Sequence, residues 1–198
     1  MLEVVFIRHG ESEANRHNII VSHRGDPPLT DSGIGQARHA ASVWGPFNAV
    51  YSSPLRRTRQ TAEAFLNPGQ VLHIDERLHE IALGRWDGLT IEEIESRDLD
   101  RYHQWKANPE LGAPDGGEPL SHVAERLHGF LQDIRREYPE GRIIATTHSD
   151  CLKAILLSVL HAPWTGAQWF HLSNTAGLAL QLKDGAWQIM AYPIMPPA

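Results

Sequence analysis

The chain has a single cysteine, Cys151, among its 198 residues. No disulfide can form within it, and a reducing compartment is the natural setting. Positive charge is also scarce. Lys and Arg number 18 against 24 Asp and Glu, a formal net charge of −6, so a general basic coat for nucleic acid or anionic lipid is not expected. No apolar run approaches the roughly 18 residues that a membrane-spanning helix needs. The N-terminal apolar stretch is short and follows Glu3, with neither a basic region before it nor a small-residue cleavage site after it, so it does not read as a signal peptide. A Gly-rich loop ending in Lys-Ser/Thr is missing, as are histidines at zinc-ligand spacing. A soluble cytoplasmic protein without metal or cofactor, and with no nucleic-acid or membrane partner, is therefore the expectation.

What is present suits a globular domain. Hydrophobic residues at 41% and charged residues at 21% lie near globular averages. The length corresponds to about one domain and is enough to bury a core unaided. Histidine is abundant, with 12 copies of the side chain most used for chemistry near neutral pH.

Strand-like and helix-like segments alternate, which predicts an α/β domain of three layers, a mostly parallel sheet with helices on both faces. Val4 to Ile7 reads as a buried strand ended by Arg8-His9-Gly10. Ile34, Ala37, Ala41 and Trp44 recur at helical spacing, and Gly45-Pro46 stops that helix. Ala49 to Ser52 and Val71 to Ile74 are further strands. Between them a helix is expected to open at Ser53-Pro54, with proline in its tolerated first position. Thr90-Ile91-Glu92-Glu93 is a capping box that starts a short helix. A long helix follows over 119–137, then a strand over Ile143 to Thr147 and a helix from Asp150 to Leu160. Gly177 to Leu182 and Trp187 to Met190 make a hairpin around Asp184-Gly185. The tail Pro193 to Ala198 is expected to be loose. Residues 1–198 read as a single domain, with 78–117 as an insertion or cap.

Two histidines sit where this architecture binds ligands. Arg8-His9 ends the first strand, and Thr147-His148 ends the strong strand at 143–147. In open α/β sheets, ligands bind beyond the carboxyl ends of the strands. An arginine beside a histidine suits an anion, because the guanidinium forks onto two oxygens while the imidazole serves as nucleophile or proton carrier. The N–H groups after His148 open a helix and add to the anion site. Such histidines also occur as packing residues, and spacing does not separate the two roles.

The motifs go further. Arg8-His9-Gly10-Glu11-Ser12 with Asn15 resembles the RHGxSxxN signature of the histidine phosphatase superfamily, also called the phosphoglycerate mutase-like family. Asp26-Pro27-Pro28-Leu29-Thr30 with Gly33, Gln36 and Ala37 is similar to the family's next motif. So are Ser52 to Ala62, then Leu78-His79-Glu80-Ile81 with Gly84, Trp86 and Gly88, then Gly116-Gly117-Glu118, Thr147-His148 and Asn174. The resemblance runs in order over roughly residues 4–180. It implies the phosphoglycerate mutase-like fold and a metal-independent, histidine acid phosphatase-type phosphoric monoester hydrolase. His9 would be the nucleophile, its other ring nitrogen held by a backbone carbonyl. Arg8, Arg57 and His148 would surround the phosphoryl oxygens, and Glu80 would be the general acid and base. His148 contributes charge only if protonated, so nearby carboxylates are expected to raise its pKa. Asn15 and the Ser149 amide would add donors, and His23, Arg24 and Arg85 are candidate substrate contacts. Arg56 and Arg57 are adjacent and only one can face the pocket; aligning Leu55 with the motif leucine assigns Arg57.

Departures are few. Ser149 stands where many members have glycine, so the turn must accept a Cβ, and Thr58 replaces an alanine. Other phosphatase chemistries fail on their own requirements: the position six after Cys151 is Leu157 rather than arginine. Asp98-Leu99-Asp100 has no apolar strand before it. Ala14 precedes Asn15 where cofactor-dependent phosphoglycerate mutases carry tryptophan, and their FTGW-like loop is missing. A phosphomonoesterase acting on small phosphorylated metabolites is thus expected, with a mutase or a non-catalytic phospho-ligand binding module as alternatives. Dimers occur in the family, and whether this chain forms a homodimer stays open.

Overall fold

The computed structural model describes residues 1–190; the tail expected to be loose lies outside them. Among the described residues, β1 (Leu2–Arg8), β2 (Ala49–Ser52), β3 (Leu72–Ile74), β4 (Gly141–Thr147), β5 (Gly177–Lys183) and β6 (Ala186–Met190) form one sheet in the order β3-β2-β4-β1-β5-β6. The first four strands of that order run parallel, while β5 is antiparallel to β1 and β6 to β5. The β5–β6 turn places Asp184 and Gly185 both at positive φ, 50° and 84°, the backbone an Asp-Gly hairpin turn requires.

Alternation along β1 builds the three layers. Leu2, Val4 and Phe6 join one apolar cluster with Val123, Leu127 and Leu131 of α5 (Leu120–Glu137) and Leu152 and Ile155 of α6 (Ser149–Val159). Val5 and Ile7 join a second cluster with Ala40 of α2 (Asp31–Trp44), Ala62 of α3 (Arg56–Glu63) and Phe65. A central strand covered on both faces must be apolar at every position, which is why Val4 to Ile7 shows no polar alternation. Residues 78–117 do not form a core of their own. Leu78, Ile81, Leu83, Trp86, Ile94 and Tyr102 pack in the first of these clusters. No helix is long and apolar enough to cross a membrane among the described residues.

Three elements depart from expectation. The helix placed at Ser53-Pro54 starts at Arg56, because Leu55 stays extended (φ −70°, ψ 142°) and Asp26 accepts from the Arg56 N–H at 2.5 Å. That cap comes from 30 residues away, beyond the reach of local rules. The helix begun by Thr90 is not short: α4 spans Ile91–Ala107, 17 residues, with non-helical backbone at Asp98. There the Asp98 carboxylate accepts from Trp86 Nε1 and Arg85. One turn, α1 (Glu13–Arg16), was not foreseen. Ser12 and Asn15 close it as a capping box.

The segment after β1 packs on α2 through two glycines. A Cβ on Gly33 would meet the Glu11 carbonyl oxygen at 2.0 Å, and one on Gly10 would meet the Gly33 carbonyl oxygen at 2.4 Å. Backbone lies against backbone there, so both positions require glycine.

Candidate active site

Parallel pairing of β1 with β4 puts Arg8 opposite Thr147, so the residues that follow, His9 and His148, emerge side by side. The His9 N–H donates to the Thr147 carbonyl at 3.0 Å, and the two imidazoles meet edge to face with centroids 5.3 Å apart. Both rings are buried, His148 completely.

His9 Nδ1 lies 2.7 Å from the Gly10 carbonyl oxygen. A carbonyl only accepts, so Nδ1 carries the proton and the Nε2 lone pair is free. Arg57 Nε donates toward that lone pair at 3.2 Å. Burial, then Arg57 and Arg8, hold the His9 pKa well below the usual imidazole value, against the opposing Gly10 bond. The ring is a neutral base with one nitrogen presented. Further contacts fix it: Thr61 Oγ1 accepts from the Gly10 N–H at 3.1 Å, and Asn174 Nδ2 donates to the His9 carbonyl at 3.1 Å.

His148 corrects an expectation. Its pKa is lowered well below the ordinary value, not raised, with burial the largest cause and Arg57 and His9 next. Arg57 NH2 sits 3.2 Å from its Nδ1, and a guanidinium can only donate. Nε2 therefore carries the proton and donates to Ser53 Oγ at 2.9 Å. His148 is thus neutral and orients Arg57.

Arg57 is 3% exposed, whereas Arg56 points to solvent, as the leucine alignment predicted. Besides its bonds to both imidazoles, Arg57 NH2 donates to the Val21 carbonyl at 2.9 Å. Arg8 NH1 donates to the Leu172 carbonyl at 2.5 Å. Two guanidinium nitrogens, Arg8 Nε and Arg57 NH1, are buried without a partner among the described residues. A buried charged donor without an acceptor is costly, and two on residues that line one cavity with His9 suit an anion there.

Glu80 reaches the site on a loop anchored to β4 and α6. Thr147 Oγ1 donates to the Leu78 carbonyl at 2.6 Å, and Cys151 Sγ donates to the His79 carbonyl at 3.0 Å. The Glu80 pKa is pushed up to about 7, by burial first and Asp150 second, against the Ile81 N–H, Arg57 and Arg8. Cys151 is buried, with its pKa raised to about 12 chiefly by that burial, and is therefore an unreactive thiol.

Arg8, His9, Asn15, Arg57 and Glu80 all line one cavity of about 280 Å³. Asn15 Oδ1 is taken by the Ser12 N–H and hydroxyl. Ser149 is the first residue of α6, in ordinary helical backbone that accepts its Cβ, while the cavity wall itself takes Asp150. Of the expected contacts, His148, Ser149, His23, Arg24 and Arg85 are not among the residues that line this cavity. The Arg24 and His23 N–H groups both donate to Asp87 at 2.7 Å, and the His23 ring stacks on His79 at 4.0 Å. Arg85 pairs with Asp98 and Asp115 and lines a separate cavity of about 320 Å³ whose lining includes neither His9, His148 nor Glu80.

Several residues with defined places here had no role assigned from the sequence: Ser53, Thr61, Asp87 and Asn174. All four lie inside the motifs, so the signal was their presence there. Asp150, Tyr102 and Trp105 carried no such signal.

A family model of the histidine phosphatase superfamily (branch 1) matches residues 4–194. The chain is 30% identical over 189 residues to phosphoserine phosphatase 1 of Hydrogenobacter thermophilus, covering 93% of this chain and 88% of that one. It is 29% identical to a 2,3-bisphosphoglycerate-dependent phosphoglycerate mutase of Azorhizobium caulinodans, covering 78% and 79%. Among solved structures, a mycobacterial glucosyl-3-phosphoglycerate phosphatase in complex with VO3 superposes with a TM-score of 0.86 at 26% identity, covering 97% of this chain and 98% of that one.

Proposed function

The chain belongs to the histidine phosphatase superfamily and is a phosphomonoesterase working through a phosphohistidine; from that premise we propose which residues do the chemistry. His9 Nε2 attacks phosphorus in line while the bond to the leaving oxygen breaks. Glu80 gives its proton to that oxygen. Water then attacks the phosphohistidine, Glu80 takes its proton, the P–N bond breaks, and phosphate leaves. The protonated Glu80 and free His9 are thereby restored.

The observation that carries this reading is the pair of buried donors without a partner among the described residues, Arg8 Nε and Arg57 NH1, in one cavity with a neutral imidazole whose lone pair accepts from Arg57. Those guanidiniums supply the charge that a metal ion supplies in other phosphoryl-transfer enzymes, so the reaction is metal-independent. An arriving dianion replaces His9 and His148 as the acceptor for Arg57. It also favours proton uptake by His148, which then donates to the phosphoryl group. Asn15 Nδ2 and the Ser149 N–H complete the donors. Residues 1–198 act as one domain in which 78–117 closes over the site, and the substrate is a small phosphorylated metabolite.

The test is phosphate release from a panel of phosphomonoesters in the presence of chelator, beside an assay of 3-phosphoglycerate to 2-phosphoglycerate conversion. Chelator-resistant release without isomerisation is expected. Isomerisation stimulated by a bisphosphoglycerate would make the chain a mutase.

A further inference from the structure

The catalytic cavity is larger than a phosphoryl group, and the chemistry of its remaining wall is one-sided. Apart from Arg8, His9, Asn15, Arg57, Glu80 and the buried Ser12, the lining is apolar or aromatic with two exceptions, Asn18 and Asp150. The polar end of Trp105 also lacks a use within the protein, since its Nε1 is buried without a partner.

Charge decides what this wall can accept. Positive charge in the lining ends with Arg8 and Arg57, and both are committed to the phosphoryl end. The charged lining residue left over is Asp150, a carboxylate. Lys153 does not line the cavity and is held by Asp150 Oδ1 at 2.9 Å. Residues 191–198 contain no Lys, Arg or His that could add a cation. A leaving group with its own carboxylate would be desolvated against apolar side chains and would find no cation in the lining beyond the two arginines that hold the phosphoryl group.

We propose that this cavity selects phosphomonoesters whose alcohol is uncharged and carries a single apolar or aromatic group, seated against Ile19, Ile20, Leu83, Ile91, Tyr102 and Trp105, and that it disfavours carboxylate-bearing esters. The inference rests on the phosphomonoesterase reading above and deepens it. It sets this chain apart from the phosphoserine and glucosyl-3-phosphoglycerate phosphatases that it resembles. A volume of about 280 Å³ lies at the small end of ligand pockets, which suits one ring beside the phosphate.

The experiment compares kcat/KM for 2-phenylethyl phosphate, ethyl phosphate, O-phospho-L-serine and 3-phosphoglycerate, all alkyl esters, so that leaving-group acidity is not the main variable. The phenylethyl ester is expected to exceed ethyl phosphate at least tenfold, and the two carboxylate esters to fall below ethyl phosphate. In Trp105→Ala the ratio of phenylethyl to ethyl turnover is expected to shrink severalfold. A ratio within one preparation does not depend on how much of the variant is folded. Phosphoserine or phosphoglycerate matching or exceeding the phenylethyl ester, with turnover lost in His9→Ala, overturns the selectivity and leaves the phosphatase reading intact. Silence on all four esters overturns both.

Discussion

Arg57 Nε lies 3.2 Å from His9 Nε2, so the arginine donates to the lone pair that, on the proposed mechanism, attacks phosphorus. The bond has two consequences. It helps keep the imidazole neutral, and it holds the guanidinium where the phosphoryl oxygens will be. On the proposed mechanism, substrate binding exchanges a neutral acceptor for a dianionic one, and His9 is released by the group that binds its target.

On the proposed mechanism the carboxyl of Glu80 serves catalysis at a cost to stability. Its pKa rises to about 7 in the folded chain, above its unfolded value. A raised carboxyl favours folding when protonated, and that contribution is lost as pH climbs from about 4.5 through 7. Glu80→Gln removes the penalty. At pH 8 the variant should be stabler than the native chain by on the order of 2 kcal/mol, with the gain shrinking toward pH 5. Its kcat should fall about 10²- to 10⁴-fold. Denaturant unfolding at both pH values, with kinetics alongside, checks this; a gain independent of pH would contradict it.

Asp150 is the second cause of that raised pKa. Replacing it with asparagine removes a negative neighbour, so Glu80 loses its proton at lower pH. The general acid must be protonated to act, and the alkaline limb of the kcat/KM profile should therefore move to lower pH in Asp150→Asn. A limb that stays in place, or moves to higher pH, would show that another group sets it.

Motif residues spoke for the site, and propensity for the sheet, because both are local in sequence. Arg8-His9 and Thr147-His148 were readable as strand ends, and the β1–β4 pairing alone makes them neighbours. What stayed hidden depends on contacts between distant segments. The Asp26 cap on α3, the Asp87 clasp on residues 22–24, and the proton balance of His148 each need a partner tens of residues away. Carboxylates nearby were expected to charge His148; burial and Arg57 instead lower its pKa. Arg85 read as a substrate contact because of its place in a motif, but Asp98 and Asp115 take its donors.

Gly33 supports the nucleophile loop from a distance. Its missing Cβ leaves room for the Glu11 carbonyl, which would lie only 2.0 Å from an alanine methyl. Gly33→Ala should destabilise the fold by roughly 1–3 kcal/mol through overpacking, and should also lower kcat by shifting Gly10 and His9. Thermal unfolding and steady-state kinetics read the two effects. An unchanged midpoint would show that the helix yields freely.

The central claim is that phosphorus becomes bonded to His9. Rapid quenching of the enzyme with a ³²P-labelled phosphomonoester, followed by peptide mapping, tests it most directly. The account predicts label on the peptide containing His9, stable to alkali and lost in acid, and no label in a folded His9→Ala variant. Label on another residue, or steady turnover by His9→Ala, would contradict it.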